Sequence, residues 1–178
     1  MNKEYIIIAF TENQIGVLNR ITSCYLRRKI NIESLKVSES PVRGISMFVI
    51  SAFTTAETIE KVAKQIRNII DVLQVDFYDE AELITQEIAL YKISSRPFRE
   101  NGRVDALSRQ WGTRLIEFSP KYVVLEKTGT REEIEELKRE LEENGLLQEF
   151  TRSGSVIIHR DSIFDRLHET IGDRSGQQ

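Results

Sequence analysis

Residues 10–21, FTENQIGVLNRI, set a polar run directly before a glycine at the point where an amphipathic helix should begin. Thr11, Glu12, Asn13 and Gln14 are more polar than a short strand-to-helix turn requires, and Gly16 leaves the backbone bare. A helix start carries unpaired N–H groups and a partial positive charge, which suits a carboxylate. Without a Cβ at Gly16, a ligand can come close to that backbone. The Asn13 amide both donates and accepts hydrogen bonds. A free amino acid presents a carboxylate and an ammonium together, so the loop could hold one. On the loop alone, an ordinary helix-capping turn fits equally well.

Catalytic constellations are not evident. The two histidines, His159 and His168, stand apart near the C-terminus, and no phosphate-binding glycine loop of either common type occurs. The single cysteine, Cys24, falls on the apolar face of the first helix and reads as a core residue, because a free cysteine is among the most buried side chains. One cysteine allows neither an internal disulfide nor a Cys/His metal spacing. REEIEELKREL (131–141) reads as a solvated helix face laced with i,i+4 charge pairs. These features point away from an enzyme.

The elements around the loop follow one plan twice. YIIIAF (5–10) is an apolar strand. Val17, Leu18, Ile21, Cys24 and Tyr25 then lie at helical spacing over residues 16–28. Strands follow at 31–39 and 45–53, joined by the PVRG turn at 41–44. Thr54 and Glu57 fit a capping box for a helix carrying Ile59, Val62, Ile66, Ile69 and Ile70, and VLQVDFY (72–78) closes the unit. The same order returns with a strand at 87–94 and a helix over 102–112 bearing Val104, Leu107 and Trp111. Strands at 114–119 and 121–129 come next. A second capping box, Thr130 with Glu133, opens a helix bearing Ile134, Leu137 and Leu141, and residues 146–159 end the unit.

The expected fold class is therefore α+β: two tandem ferredoxin-like βαββαβ sandwiches, each a four-stranded antiparallel sheet with two helices on one face. The expected domains are 1–78, a linker at 79–86, 87–160, and a terminal helix (161–172) with a polar tail within 161–178. Strand 45–53 has apolar residues on both faces: Ile45, Met47 and Val49 on one, Phe48, Ile50 and Ala52 on the other. A solvated face would alternate with polar residues, so another copy or the other repeat should cover it, and a homo-oligomer is expected.

Composition narrows the class further. The chain has 178 residues, 40% hydrophobic and 30% charged, with a net charge of −3, the profile of a soluble globular protein. RNA-recognition domains share the fold, and Arg43–Gly44 begins like their third-strand motif. Ile45 and Met47 then stand where base-stacking aromatics are needed, and the pI of about 5.6 gives no basic footprint. Nucleic acid and membrane partners are not expected. No stretch is long enough to span a bilayer, and the N-terminal apolar run is too short for a signal peptide, so a cytoplasmic location is expected.

ENQIGVLNRI followed by RRKINIESLKV resembles the regulatory (small) subunit of acetolactate synthase, also called acetohydroxyacid synthase. The similarity continues through DVLQV (71–75), EIALYKI (87–93) and EFTRSGSVIIHR (149–160), and so covers nearly the whole chain. It implies that the first repeat is an ACT domain, which binds small amino acids at domain–domain interfaces. It implies a protein without activity or cofactor of its own that binds and activates the large catalytic subunit. Thiamine diphosphate, Mg and FAD would belong to that subunit. Feedback by a branched-chain amino acid, usually valine, would follow.

Carried over by position, Asn13, Gln14, Ile15, Gly16, Val17 and Leu18 would hold the effector. Asn31 would reach it from the partner chain, in a homodimer or higher oligomer built through the ACT domains. Ile32 would line the pocket, and Ser38 stands where a small residue near the site is common. The chain departs from the pattern at Lys29, usually glycine in the family, and at Ile30, often an aromatic. A free-standing amino-acid sensor controlling some other partner is the alternative reading.

Overall fold

The computed structural model describes residues 2–99, 104–160 and Leu167; of the side chains in these ranges, those of Glu80, Pro97, Arg99 and residues 104–107 are excepted. The chain divides into two compact units. The first runs to Ile84 and takes the chain again from Ile158; the second is Thr85–Ile157.

In the first unit the order is β1 (Lys3–Glu12), α1 (Val17–Leu26), β2 (Ser34–Glu39), β3 (Ile45–Thr54), α2 (Ala56–Arg67) and β4 (Val72–Asp79). The antiparallel sheet has the order β2-β3-β1-β4, so β1 is central and β2 lies on an edge. Alternation explains the core. Tyr5, Ile7 and Ala9 of β1 and Phe48, Ile50 and Ala52 of β3 face Val17, Ile21, Cys24 and Tyr25 of α1 and Ile59, Val62, Ala63 and Ile66 of α2.

The expected burial of the opposite face is met within one chain, without the second copy that was one of the two covers named for it. Ile6, Ile8, Phe10 and Val49 are already buried in the single chain. The apolar second face of β3 therefore does not by itself call for a second copy.

A three-residue 3-10 turn, Glu80–Glu82, leads into β5 (Leu83–Ser94). The second unit continues with α3 (Arg96–Arg99), α4 (Val104–Trp111), β6 (Arg114–Phe118), β7 (Tyr122–Gly129), α5 (Arg131–Glu143), β8 (Leu147–Arg152) and β9 (Val156–His159). The sheet order is β6-β7-β5-β8, with β9 also paired to β5. Ala89, Tyr91 and Ile93 of β5, Val123 and Leu125 of β7, and Ile134, Leu137 and Leu141 of α5 form its core with Phe98 and Trp111. Both units thus share the ferredoxin-like βαββαβ plan, which makes the chain α+β.

Several local expectations shift. Strand β5 begins at Leu83 and takes the residues from 83 to 86 out of the expected linker. Polar Thr85 and Gln86 hide an alternation that pairing completes. The final segment 146–159 is two strands, because Ser153–Ser155 break it and Gly154 adopts a positive φ of 74°. This adds a fifth strand to the expected four. At the start of α2 the cap is Thr55, not Thr54: Thr54 stays in β3 opposite Lys3, and the Thr55 hydroxyl accepts from the Thr58 N–H at 3.3 Å. The Thr130–Glu133 capping box is present as read. There the Thr130 N–H bond holds the Glu133 carboxyl below its ordinary pKa. That small stabilisation is present above the unfolded pKa and fades as pH falls through the folded one. Apart from Leu167, which is helical and buried, the expected helix 161–172 lies outside the described residues, as do His168, the polar tail and the side chains of Val104 and Leu107.

The ends of α1 and α5 share one hydrogen-bond pattern with different residues. The Ile30 N–H donates to the Tyr25 carbonyl and the Lys29 N–H to that of Leu26; the Leu146 N–H donates to Leu141 and the Gly145 N–H to Glu142. Both are Schellman ends that need a left-handed residue. Gly145 supplies it without cost at φ 64°, whereas Lys29 adopts φ 56°. A lysine side chain there is strained by about 1 kcal/mol. Lys29→Gly should therefore raise the melting temperature by about 2–4 °C in a thermal melt. An unchanged or lowered value would show that the lysine side chain compensates for its backbone.

Candidate functional site

The loop after β1 is fastened on both sides. The Glu12 N–H donates to the Asp71 carbonyl at 2.9 Å, the Asn13 N–H to Gly44 at 3.1 Å, and the Gln14 N–H back to Glu12 at 2.9 Å. Gly16 then occupies the position before α1 with φ 87° and ψ −7°, in the left-handed region. A Cβ built on Gly16 would meet nothing within 4 Å, so the glycine serves backbone conformation and access, not packing.

The start of α1 is open. No side chain caps it, and its first turn has no acidic residue. The Val17 N–H reaches the Gln14 carbonyl only at 3.5 Å, while that of Arg20 bonds Gly16 at 3.2 Å. Among the described residues nothing accepts from the N–H groups of Leu18 and Asn19. Two donors and an unneutralised helix dipole therefore face outward beside a glycine. Around them Asn13, Gln14, Gly16 and Leu18 are exposed and Ile15 is fully so. The Val17 side chain is in the core, so Val17 can offer a ligand only its backbone.

The remaining predicted residues lie elsewhere. Asn31 is exposed just beyond the far end of α1, its amide donating to Glu33 at 2.9 Å. A ten-residue helix spans about 15 Å, so Gly16 and Asn31 of one chain cannot hold one small molecule together. Ile32 packs partly against the core. Ser38 pairs with Met47, which pairs with Phe10, and so it belongs to the sheet face away from the helices, opposite to Val37.

Strand β2, within the strand expected at 31–39, adds two apolar residues that the candidate site did not include. Leu35 and Val37, opposite Ile50 and Phe48, turn toward the helix-bearing face but remain 39% and 46% exposed, because β2 is the sheet edge. The alternation in SLKVSE was the available signal.

Cys24 is buried in the core, and that burial pushes its thiol above the ordinary pKa, with Arg27 and Arg28 offsetting part of the effect. It is not an activated nucleophile. Among the described residues, no group of His, Cys, Asp and Glu is placed to hold a metal ion, and no helix is long and apolar enough to cross a membrane.

The first ferredoxin-like unit, with its open, glycine-started helix, is a domain of the ACT type, and a second ferredoxin-like unit follows it. Residues 7–74 match the family described as AHAS small subunit-like ACT domain, and residues 86–161 match the small subunit of acetolactate synthase. A probable acetolactate synthase small subunit of Methanothermobacter thermautotrophicus is 30% identical over 158 residues, 89% of this chain and 94% of that one. The acetolactate synthase small subunit of Aquifex aeolicus is 30% identical over 159 residues, 89% of this chain and 82% of that one. The crystal structure of the Thermotoga maritima acetolactate synthase small subunit superposes with a TM-score of 0.77 at 26% identity. That match covers 90% of this chain and 99% of the other. The chain belongs to the acetolactate synthase small subunit family.

Proposed function

We propose that this chain is the non-catalytic regulatory subunit of an acetolactate synthase. It binds and activates the large catalytic subunit and confers feedback inhibition by a branched-chain amino acid, valine first. Thiamine diphosphate, Mg and FAD belong to that large subunit. The first unit is the effector domain. The observation that carries the reading is the pair of open N–H groups at Leu18 and Asn19 beside the bare Gly16 backbone, where an effector carboxylate is received.

The separation of Gly16 from Asn31 supports a site made by two chains. Antiparallel pairing through the edge strands β2, with Leu35 and Val37 covered, brings the Asn31 end of one α1 toward the Gly16 end of the other. Effector binding and dimer geometry are then thermodynamically linked, and inhibition is a change in that packing passed to the catalytic subunit. Asn31→Ala should weaken valine binding by about 1–3 kcal/mol, for an unmade polar contact. Wild-type affinity in that variant would remove Asn31 from the site.

The test is calorimetric titration of the purified chain with valine, leucine and isoleucine, followed by reconstitution with the large subunit. Saturable valine binding and a valine-sensitive, activated enzyme support the reading. Valine binding without association with the large subunit would favour a free-standing sensor of another partner.

A further inference from the structure

A second feature of the first unit lies away from the effector loop. The C-terminal half of α1 and the end of α2 enclose an open groove of about 480 Å³. Helix α1 and its C-cap contribute Arg20, Cys24 and Arg27; α2 and its exit contribute Gln65, Asn68 and Ile70. Arg28 joins the rim, because its guanidinium donates to the Gln65 side chain. Of these three arginines, Arg20 is already paired with Asp71. Among the described residues, Arg27 and Arg28 have no carboxylate partner. In a chain of net charge −3 this is a local concentration of positive charge.

Helix capping does not account for it. The carbonyls of Ser23, Tyr25 and Leu26 at the end of α1 are taken by backbone N–H groups: Arg27 donates to Ser23, Arg28 and Ile30 to Tyr25, and Lys29 to Leu26. The guanidinium groups are not needed there as caps. Beside them Ile70 is 83% exposed at a turn, a position that ordinarily carries a polar residue. It stands at the open rim and does not close over the cavity. That arrangement suits a chain segment lying along the groove better than an enclosed small molecule.

We propose that this groove between α1 and α2 is a docking surface for an acidic, apolar-anchored helix or loop of the large catalytic subunit. The proposal rests on the regulatory-subunit reading above and names the face by which that subunit is engaged. Carboxylates of the partner pair with Arg27 and Arg28, and an apolar side chain covers Ile70. Such pairing sets partner choice and association rate, and arginine forks suit carboxylates.

The test compares the full-length chain with Arg27→Glu and Ile70→Ser. Both sites are exposed enough for the fold to persist, which thermal melts and an unchanged valine titration would verify. Each is titrated into the large subunit, following sedimentation and activation. Arg27→Glu should raise the concentration needed for half-activation by about tenfold or more, with the difference shrinking as salt is raised. Ile70→Ser should raise it with little salt dependence. Half-activation within about twofold of the unaltered chain for both variants would overturn the proposal. Weakened self-association with undiminished binding of the large subunit would also overturn it, assigning the groove to a second copy. Failure of the unaltered chain to bind the large subunit would instead overturn the functional reading, and this surface with it.

Discussion

Gly16→Asp is expected to abolish most of the valine response of the reconstituted enzyme while leaving its activation near the unaltered level. The new side chain fits, since a Cβ at this position meets nothing within 4 Å. The positive φ of 87° makes it strained, but aspartate is among the residues that tolerate the left-handed region. Its carboxylate then lies beside the open Leu18 and Asn19 N–H groups and takes the place of the effector carboxylate. It also repels any second anion. Losing charge-assisted contacts of about 1.5–3 kcal/mol corresponds to about a tenfold to hundredfold weaker effector.

Gly16→Ala separates strain from charge. It carries the same backbone penalty without the anion, so its loss of valine affinity should be the smaller. Calorimetry on both variants, with valine inhibition of the reconstituted enzyme, measures this. Equal valine inhibition in Gly16→Asp and the unaltered chain would place the effector elsewhere.

The second large effect is on stability. In the second unit Glu87 is 5% exposed. Arg152 stands 3.5 Å from it and 3.5 Å from Glu135, and the Ser155 hydroxyl donates to the other Glu87 oxygen at 3.0 Å. Both 3.5 Å contacts are ion pairs without hydrogen-bond geometry, so the cluster relies on charge attraction more than on directional bonds.

Arg152→Ala leaves a buried carboxylate with one hydroxyl for company. Breaking a buried pair from one side costs about 3–5 kcal/mol. Because Arg152 keeps some solvent exposure, the lower end, about 3 kcal/mol, is expected in urea unfolding. The double variant Glu87→Gln with Arg152→Ala should recover most of that loss, since no charge then remains buried. A loss under about 1 kcal/mol in the single variant would mean that the pair behaves as a surface salt bridge.

How much of this was legible beforehand depends on the range of each interaction. The continuous apolar runs at residues 5–10 and 45–53 and the period-3.6 patterns at 16–28 and 131–141 placed strands and helices, because β-branched content and side-chain direction along a helix are local properties. The Thr130–Glu133 cap was legible for the same reason: its partners are three residues apart. Thr54 against Thr55 was not, because the strand register opposite Lys3 decides which threonine is free to cap. The start of β5 at Leu83 and the separate strand β9 likewise depend on pairing partners distant in sequence.

Glu87 shows the same boundary. It occupies the core-facing parity of Ala89, Tyr91 and Ile93, so a charge inside an apolar alternation was a visible sign. Its partners, Arg152 and Glu135, come from β8 and α5, which no local spacing joins to β5.

The effector loop divides in the same way. The sequence by itself determined that a bare backbone stands at the start of a helix, since residue identity at Gly16 decides it, whereas the absence of a side-chain cap there emerged only in the fold. It also determined the two-unit plan and carried the family's motifs. Only the tertiary structure decided that Gly16 and Asn31 lie at opposite ends of α1, that Ser38 faces away from the helices, and that β2 is the edge that leaves Leu35 and Val37 open. The reason is physical. Hydrogen-bonding capacity and backbone freedom belong to single residues, whereas edges, faces and distances arise only when strands far apart in sequence pair.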